Sequence, residues 1–377
     1  MPGALDRELP TGIRSRFVDD VNGLRMHVLE AGHEDGGRPT LILLHGFPEL
    51  AFSWRQLMPR LATAGYHVIA PDQRGFGRTT GWDPDYDGDV DSYRPLNLVR
   101  DVTALLDRCG LHSVAAVIGH DFGSPVAAWC ALAHPDRFRS VVLMSAPFGG
   151  PPSPGRGHVG SGYPSLADDL AALPRPRKHY QNHYRTREAA PDLDGAPQGV
   201  HAFLRAYFHH KSADWPGNQP TPLPATTAET FAVMPTYYVM DLDAGMAETV
   251  AAEMPTPEQI AANEWLPDTD LAVFAEEFER TGFQDGLNWY RASGLGRAEM
   301  EQFAGRTIDQ PSLFIAGSSD WGTYQAPGRL ERMGRTACTD LQRIHLVDGA
   351  GHWVQQEQPG KTSDLILDFL EQNELAP

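Results

Sequence analysis

The sequence predicts an α/β protein in which a mostly parallel sheet, flanked by helices, is interrupted by a helical insertion. Short apolar segments such as Thr40–Leu44 and 67–70 are bounded by proline, glycine or aspartate, which is typical of buried parallel strands. An amphipathic segment at 97–109 follows them, and alternation of strands and helices favours right-handed crossovers in a parallel sheet. After Pro147 the strand pattern stops, and it returns at 312–316.

The first predicted elements are two strands, 16–18 and 24–30. They are joined at Asn22-Gly23, a dipeptide that favours hairpin turns. The apolar runs at 114–118 and 141–144 are predicted as further strands of the parallel sheet. The N-terminal part of the chain therefore predicts most of the sheet.

The predicted insertion begins with a segment rich in glycine, proline and serine, 149–162, which indicates a loop or linker. From 165 to 291 the chain has helical patterns and no convincing strand. Strand patterns resume at 312–316 and 344–347, and 361–373 is an amphipathic C-terminal helix.

These changes of pattern divide the chain into three parts. We expect the first part of the sheet domain at 1–148, a linker with the helical insertion at 149–294, and the second part of the sheet domain at 295–377. An insertion of this length has the size of a small domain. The 377 residues are enough to bury a large core.

Composition narrows the possible partners and compartments. The net charge of −18 argues against binding to nucleic acid or to anionic membrane surfaces. The three cysteines have no metal-ligand spacing, which favours reduced thiols and a cytoplasmic protein. The first residues lack the apolar run of a signal peptide, and no apolar segment is long enough to cross a bilayer.

The most informative segment is Gly119-His120-Asp121-Phe122-Gly123. It lies between a predicted strand and a predicted helix, which is the context of a nucleophile elbow. Glycines suit such a strained turn because neighbouring backbone comes close. A carboxylate at the apex, Asp121, can displace a leaving group at saturated carbon and form an ester. The alternative is a chance match to a short pattern.

Other segments predict partners for Asp121. His45-Gly46-Phe47-Pro48 follows a predicted strand, so the Phe47 N–H and the Phe122 N–H could form an oxyanion hole; the alternative for this segment is a tight turn. Asp320 and His352 each follow a later strand, so the chain order is nucleophile, acid, histidine. Asp348 is a rival acid, only four residues from His352.

These motifs resemble those of epoxide hydrolases of the α/β-hydrolase superfamily, in the aspartate-nucleophile branch shared with haloalkane dehalogenases. The resemblance covers roughly 15–148 and 295–373 and is weaker in the insertion. The matching stretches are His45-Gly46-Phe47-Pro48-Glu49, Ser53-Trp54-Arg55, Asp72-Gln73-Arg74-Gly75-Phe76-Gly77, Gly119-His120-Asp121-Phe122-Gly123, Leu287-Asn288-Trp289-Tyr290-Arg291 and Gly351-His352-Trp353. The resemblance implies an α/β-hydrolase fold whose insertion is a helical cap.

The resemblance also implies two cap tyrosines that act on the epoxide oxygen. Tyr290 matches one of them, and Tyr180 is the first choice for the other, with Tyr184 as the alternative one helical turn away. The remaining candidates, expected to be packing or pocket wall, are Tyr163, Tyr207, Tyr237 and Tyr238. The residues expected to bind substrate are His45, Pro48, Trp54, His120, Tyr184, Trp289 and Trp353.

The activity that the resemblance implies is the opening of an apolar epoxide to a vicinal diol. Asp121 would form an alkyl ester, and water activated by His352, which Asp320 orients, would hydrolyse it. No cofactor is implied. His179 and His183 lie four residues apart but lack a His-Glu-x-x-His pattern, so no metal site is expected. Substrate and water are the expected partners of a monomer or homodimer.

Two rival functions remain at this point. A dehalogenase would use the same aspartate, but such enzymes place a halide donor after it, and Phe122 has no side-chain donor. A non-catalytic small-molecule receptor on a hydrolase scaffold is the alternative from another class.

Overall fold

The computed structural model describes residues 3–34, 36–152 and 164–376. Within them the chain forms ten strands. The strands are β1 (Ile13–Val21), β2 (Leu24–Ala31), β3 (Thr40–Leu44), β4 (His67–Pro71), β5 (Ala116–His120), β6 (Val141–Met144), β7 (Arg177–His179), β8 (Val239–Asp241), β9 (Ser312–Gly317) and β10 (Leu341–Val347).

The same residues form seventeen α-helices, none of them long and apolar enough to cross a membrane. The helices are α1 (Ala4–Glu8), α2 (Leu57–Thr63), α3 (Pro95–Arg108), α4 (Gly123–Ala133), α5 (Pro164–Ala171), α6 (Tyr180–His183), α7 (Ala189–Asp194), α8 (Val200–Lys211), α9 (Ala228–Phe231), α10 (Met246–Ala251), α11 (Pro257–Ala262), α12 (Asp268–Thr281), α13 (Gln284–Ala292), α14 (Arg297–Glu301), α15 (Arg329–Arg332), α16 (Val354–Glu357) and α17 (Pro359–Gln372). Short 3-10 turns cover Ala51–Trp54, Asp91–Tyr93 and Trp321–Thr323, and a π turn covers Met333–Ala337.

Eight strands form one sheet in the order β1-β2-β4-β3-β5-β6-β9-β10. The strand β2 runs antiparallel to both β1 and β4, and the remaining neighbours pair in parallel. Every residue of β3, β5, β6 and β9 is buried. Their continuous apolar sequences fit strands that are covered on both faces. The predicted fold class and the predicted hairpin at Asn22-Gly23 are therefore confirmed.

The chain between β6 and β9 forms the helices α5 to α14 and one antiparallel ribbon of β7 with β8. The prediction that this segment contains no strand was wrong. Each ribbon strand has only three residues, too few to show an alternating pattern. The Arg177 side chain, which donates to the Val239 carbonyl oxygen at 2.8 Å, helps to hold the ribbon. Most of the predicted linker, and Tyr163, lie outside the described residues.

The turn between β5 and α4 brings backbone segments very close together. Asp121, at its apex, has a left-handed backbone with a φ of 51°, a conformation that aspartate tolerates better than most residues. A Cβ atom on Gly119 would lie 2.0 Å from the Gly123 carbonyl oxygen, and one on Gly123 would lie 2.1 Å from the Leu44 carbonyl oxygen. Glycine is thus required at both positions for steric reasons.

Asp285 joins the helix α13 to the segment that follows β4. Its carboxylate accepts hydrogen bonds from the Trp82 indole at 2.6 Å and from the Tyr93 hydroxyl at 3.3 Å. Within the described chain it forms no ion pair, and its side chain is buried. Burial raises the pKa of Asp285 to about 7, and the nearby carboxylates of Asp83 and Asp194 add to the rise although Trp82 and Tyr93 oppose it.

We predict that Gly123→Ala destabilises the fold, because the new methyl group meets a backbone oxygen that has no room to move. The free energy of unfolding should fall by about 3 kcal/mol, the upper end for overpacking. Gly36→Ala is the control, since no atom lies within 4 Å of a Cβ there, and it should change the value by less than about 0.5 kcal/mol. Equal urea midpoints for the two variants would contradict the steric argument.

We predict that Asp285 makes stability fall as the pH rises. The folded pKa of about 7 exceeds the usual 3.8, so the folded protein retains this proton between those values while the unfolded chain loses it. Between pH 5 and pH 8 this group should lower the free energy of unfolding by about 2–3 kcal/mol. Urea unfolding of the native protein and of Asp285→Asn should be measured at pH 5 and at pH 8. The difference in the free energy of unfolding between the two pH values should be about 2–3 kcal/mol smaller in Asp285→Asn. An unchanged pH dependence in the variant would refute the prediction.

Candidate active site

The carboxylate of Asp121 has one contact on each oxygen. Its Oδ1 accepts the Phe47 N–H at 3.0 Å, and its Oδ2 lies 3.4 Å from the Nε2 of His352. The side chain is 13% exposed, so one part of it remains open to a cavity. The elbow thus presents a carboxylate to a backbone donor, to an imidazole and to open space at once.

Opposing effects set the pKa of Asp121. Burial alone would raise it, but the hydrogen bond and charge of His352 outweigh burial, with further contributions from the charges of Lys211 and His120. The result is a pKa held well below the usual range of an aspartate. Asp121 is therefore ionised at neutral pH, which is the state that a nucleophile requires.

His352 lies between two carboxylates. Its Nδ1 lies 3.1 Å from the Oδ1 of Asp320, which also accepts the Gly322 N–H at 2.7 Å. Burial would raise the pKa of Asp320, but the charge of His352 holds it below its usual value. The rival acid Asp348 is exposed, and its backbone carbonyl oxygen accepts a hydrogen bond from Lys361. The structure therefore brings Asp121, Asp320 and His352 together and leaves Asp348 apart.

The two predicted oxyanion donors are backbone N–H groups next to Asp121. The Phe47 N–H already contacts Asp121, and the peptide from Phe47 to Pro48 is cis. Phe122 is the residue that caps the N-terminus of α4. Amides at the start of a helix have no acceptor within it. Both amides therefore belong to backbone that adjoins the Asp121 carboxylate.

A cavity of about 300 Å³ opens beside Asp121. Its wall combines residues of the sheet domain with residues of the insertion and is largely apolar and aromatic. The lining residues are Tyr93, Pro95, Leu98, Asp121, Phe122, Pro125, Val126, Trp129, Ala146, Tyr180, Gln181, Trp289, Tyr290, Ser293, Met300, Gln325, Ala326 and Arg329. This composition suits a small, mostly apolar ligand with one polar group.

Two of the candidate tyrosines share this cavity. The rings of Tyr180 and Tyr290 lie 5.9 Å apart between centroids, and both line the wall. The Tyr180 hydroxyl donates to the Oε1 of Gln325 at 3.3 Å and accepts from the Nε2 of Gln181 at 3.1 Å. Burial, followed by the neighbouring Tyr180 and Asp121, raises the pKa of Tyr290 well above 10. Tyr290 therefore remains a protonated donor at neutral pH.

Tyr184 lies behind this pair and is not among the lining residues. Its hydroxyl lies 3.5 Å from that of Tyr207, and its ring packs against Phe47 at 5.5 Å between centroids. The side chain is fully buried. The structure thus separates Tyr180 from Tyr184, which the sequence could not do.

Several residues expected to bind substrate are buried and do not line the cavity. They are His45, Pro48, Trp54, His120 and Trp353. The Nε2 of His45 accepts the Gln73 N–H at 3.1 Å, and the Trp353 indole donates to the Phe208 carbonyl oxygen at 2.9 Å. Trp289 does line the cavity, although its indole N–H donates to the Arg74 carbonyl oxygen at 2.8 Å. Sequence motifs alone do not distinguish a wall residue from one that supports the wall.

The sequence analysis assigned no role to Glu49, which forms a buried pair with His120. The Nδ1 of His120 lies 2.6 Å from the Oε2 of Glu49, and its Nε2 donates to the His352 carbonyl oxygen at 2.7 Å. Burial would lower the pKa of His120, but the charge of Glu49 outweighs burial and raises it. The sequence signal that could have identified Glu49 is its position, directly after the segment that supplies Phe47 to the site.

The sequence analysis expects no metal site because His179 and His183, although four residues apart, lack a His-Glu-x-x-His pattern. In the structure, the Nδ1 of His179 accepts the Gln181 N–H at 3.3 Å, and the Nε2 of His183 lies 3.2 Å from Asp192. Among the residues that the structure describes, no group of three or more histidine, cysteine or acidic side chains is placed to hold a metal ion.

Comparison with known proteins gives one consistent family. The α/β-hydrolase fold family matches residues 39–189. Epoxide hydrolase A of Mycobacterium tuberculosis is 34% identical over 365 residues, which cover 95% of this chain and 98% of that protein. The solved structure of epoxide hydrolase A from Mycobacterium thermoresistibile has a TM-score of 0.74 at 34% identity and covers 95% of this chain and 98% of its own.

An epoxide hydrolase from an endophytic Streptomyces has a TM-score of 0.77 at 29% identity, with 97% of this chain and 98% of that chain covered. The similarity to these proteins thus includes the insertion as well as the sheet domain. With the strand order, the elbow and this extent of identity taken together, the chain belongs to the epoxide hydrolases of the α/β-hydrolase fold.

Proposed function

We propose that the protein hydrolyses a small apolar epoxide to a vicinal diol through a covalent ester on Asp121. One observation carries the proposal. The ionised carboxylate of Asp121 shares a cavity with the phenols of Tyr180 and Tyr290 and lies 3.4 Å from His352. A nucleophile, an acid for the leaving oxygen and a base for water are thus within reach of one bound substrate.

In the first step, Asp121 attacks a ring carbon of the epoxide. A bond forms between the carboxylate oxygen and that carbon, and the ring carbon–oxygen bond breaks. Tyr180 and Tyr290 hydrogen-bond the leaving oxygen, and one of them gives it a proton. An ordinary phenol has a pKa near 10, which suits the protonation of a strongly basic alkoxide. The raised pKa of Tyr290 keeps it in the protonated form until the alkoxide develops.

In the second step, His352 removes a proton from water, and the resulting hydroxide attacks the ester carbonyl carbon of Asp121. Asp320 orients the imidazole and stabilises its charged form. The Phe47 and Phe122 N–H groups stabilise the oxyanion, and each such donor typically contributes about 3 kcal/mol. The diol leaves with the proton that His352 took, and an oxygen atom from water stays on Asp121. The other proton of that water returns to the tyrosine that gave up its proton in the first step, so that Asp121 is again a carboxylate.

The residues of this cavity also argue against the two alternative functions, a dehalogenase and a non-catalytic receptor. A dehalogenase needs a donor for the halide, but Phe122 has none in its side chain and the indole of Trp289 already donates to the Arg74 carbonyl oxygen. A non-catalytic receptor has no need of the contacts among Asp121, His352 and Asp320. Neither alternative is favoured by a specific observation.

The proposal also includes the oligomeric state and the cellular compartment. We infer a cytoplasmic enzyme, because its cysteines Cys109, Cys130 and Cys338 are all free thiols. Its assembly state is either a monomer or a homodimer. Size-exclusion chromatography with light scattering would distinguish the two assembly states.

We predict that His352→Gln traps the ester on Asp121, because hydrolysis then lacks its base. Intact mass should rise by one substrate mass after incubation with styrene oxide, or with another epoxide that the native protein converts. Peptide mapping should place the added mass on Asp121. Hydrolysis should slow by roughly 10²–10⁴-fold, the range of general base catalysis.

The control for this experiment is Asp121→Asn combined with His352→Gln, which should gain no mass. If His352→Gln alone stays unmodified with an epoxide that the native protein turns over, the covalent route is wrong.

We predict that Tyr180→Phe and Tyr290→Phe each slow alkylation of Asp121 by roughly 10²–10³-fold, because the leaving oxygen loses a proton donor. Tyr184→Phe removes the same hydroxyl from a ring outside the cavity wall and is the matched control, with a change below about threefold. Single-turnover fluorescence would measure the alkylation rate in each variant. A large effect at Tyr184 with none at Tyr180 would reverse the assignment.

A further inference from the structure

The loop that carries His352 lies between β10 and α16. It consists of a few residues, and His352 is followed directly by Trp353, which caps the N-terminus of α16. The helix α16 has four residues, so the amides at its start lack acceptors within the helix. These amides must find partners elsewhere if the loop is to keep one conformation.

The carboxyl group of Glu357, the last residue of α16, accepts two amides of the loop that precedes this helix. Its Oε1 accepts the Trp353 N–H at 2.9 Å, and its Oε2 accepts the Gly351 N–H at 2.9 Å. These two amides belong to the residues immediately before and after His352. One side chain therefore holds the main chain on both sides of the histidine.

The same carboxylate reaches the insertion. Its Oε2 also accepts the N–H of Ala213, just beyond the end of α8, at 2.8 Å. Beside it, the His352 N–H donates to the Lys211 carbonyl oxygen at 2.9 Å. A Cβ atom on Gly351 would lie 2.5 Å from the Ser212 carbonyl carbon, so the two backbones are in direct contact. Glu357 thus joins three segments around the histidine.

Among the described residues, the contacts of the Glu357 carboxyl group are with backbone amides and not with a cation. Glu357 is buried and forms no ion pair with any residue that the structure describes. Burial and the charge of Asp214 raise its pKa to about 8, while the three amides act in the opposite direction. Because three backbone N–H groups donate to its two oxygens, the main-chain position and this carboxyl group depend directly on each other.

We propose that Glu357 is a positioning residue for the second step of the reaction, which keeps the Nε2 of His352 directed at Asp121. The inference rests on the proposed function, in which His352 is the base of ester hydrolysis. The groups that act in the first step lie on other segments: Asp121 follows β5, Tyr180 begins α6 and Tyr290 lies on α13. Loss of the Glu357 carboxylate should therefore affect the second step selectively.

The test is Glu357→Gln, which keeps the size of the side chain and replaces one acceptor oxygen by an NH₂ group that faces amide donors. In single turnovers with an epoxide that the native protein converts, alkylation of Asp121 should stay within about threefold of native. Hydrolysis of the ester should fall at least tenfold, so the alkylated protein should accumulate in the steady state and be visible by intact mass. Glu371→Gln, the same change at an exposed position of α17, should leave both rates native.

An equal fall in both rates would indicate a general structural role and overturn the proposal, as would native rates for both steps. If Glu357→Gln does not fold, Glu357→Asp keeps the carboxyl group, withdraws its oxygens from the amides and should give the same selective loss. Failure of both variants to fold would make Glu357 a requirement for folding, and the assignment would be withdrawn. If the native protein forms no ester on Asp121, the proposed function fails separately, before any variant is compared.

Discussion

The contact on which the rest of the site depends is that between the Asp121 carboxylate and the His352 imidazole, 3.4 Å apart. It keeps a buried carboxylate ionised against the cost of its burial. It exists only because the left-handed turn after β5 directs Asp121 towards the loop after β10. This turn also requires glycine at 119 and 123, because the Cβ atom of any other residue would clash with a backbone carbonyl oxygen. Steric constraints on the main chain are therefore the origin of the electrostatics of the site.

Much of the sheet and the identity of the central residues could be predicted from the sequence, for a topological reason. The carboxyl ends of parallel strands meet at one edge of a sheet, so polar residues that follow Thr40–Leu44, Ala116–His120, Ser312–Gly317 and Leu341–Val347 are expected to converge. The elbow pattern then distinguishes Asp121 as the candidate nucleophile. The structure adds the geometry that chain order alone lacks, including the distances from His352 to Asp320 and to Asp121.

The rest could not be predicted, because it depends on contacts between distant segments. Tyr180 and Tyr184 lie one helical turn apart, and only the packing against Phe47 and Tyr207 shows which of them faces the cavity. Glu49 and Glu357 look like ordinary surface residues in the sequence, yet both are buried. Glu49 lies against His120, and Glu357 accepts the amides on either side of His352. The ribbon of β7 and β8 is too short to show a pattern. In each case the position of the residue depends on a contact with a distant segment, which the local sequence does not show.

Phe47 belongs to both halves of the site. Its amide contacts Asp121, while its ring packs edge-on against Tyr290 at 5.7 Å and against Tyr184 at 5.5 Å. Phe47 therefore fixes the position of Asp121 relative to Tyr290. A substitution of Phe47 would move both proposed reacting groups, so the shape of the pocket next to it can hardly be changed. The part of the wall formed by Leu98, Val126, Trp129 and Met300 comes from the helices α3, α4 and α14 and contains none of the proposed reacting groups. Directed evolution of stereochemical preference therefore has its freest positions there, where a change of shape can turn the substrate without moving the reacting groups.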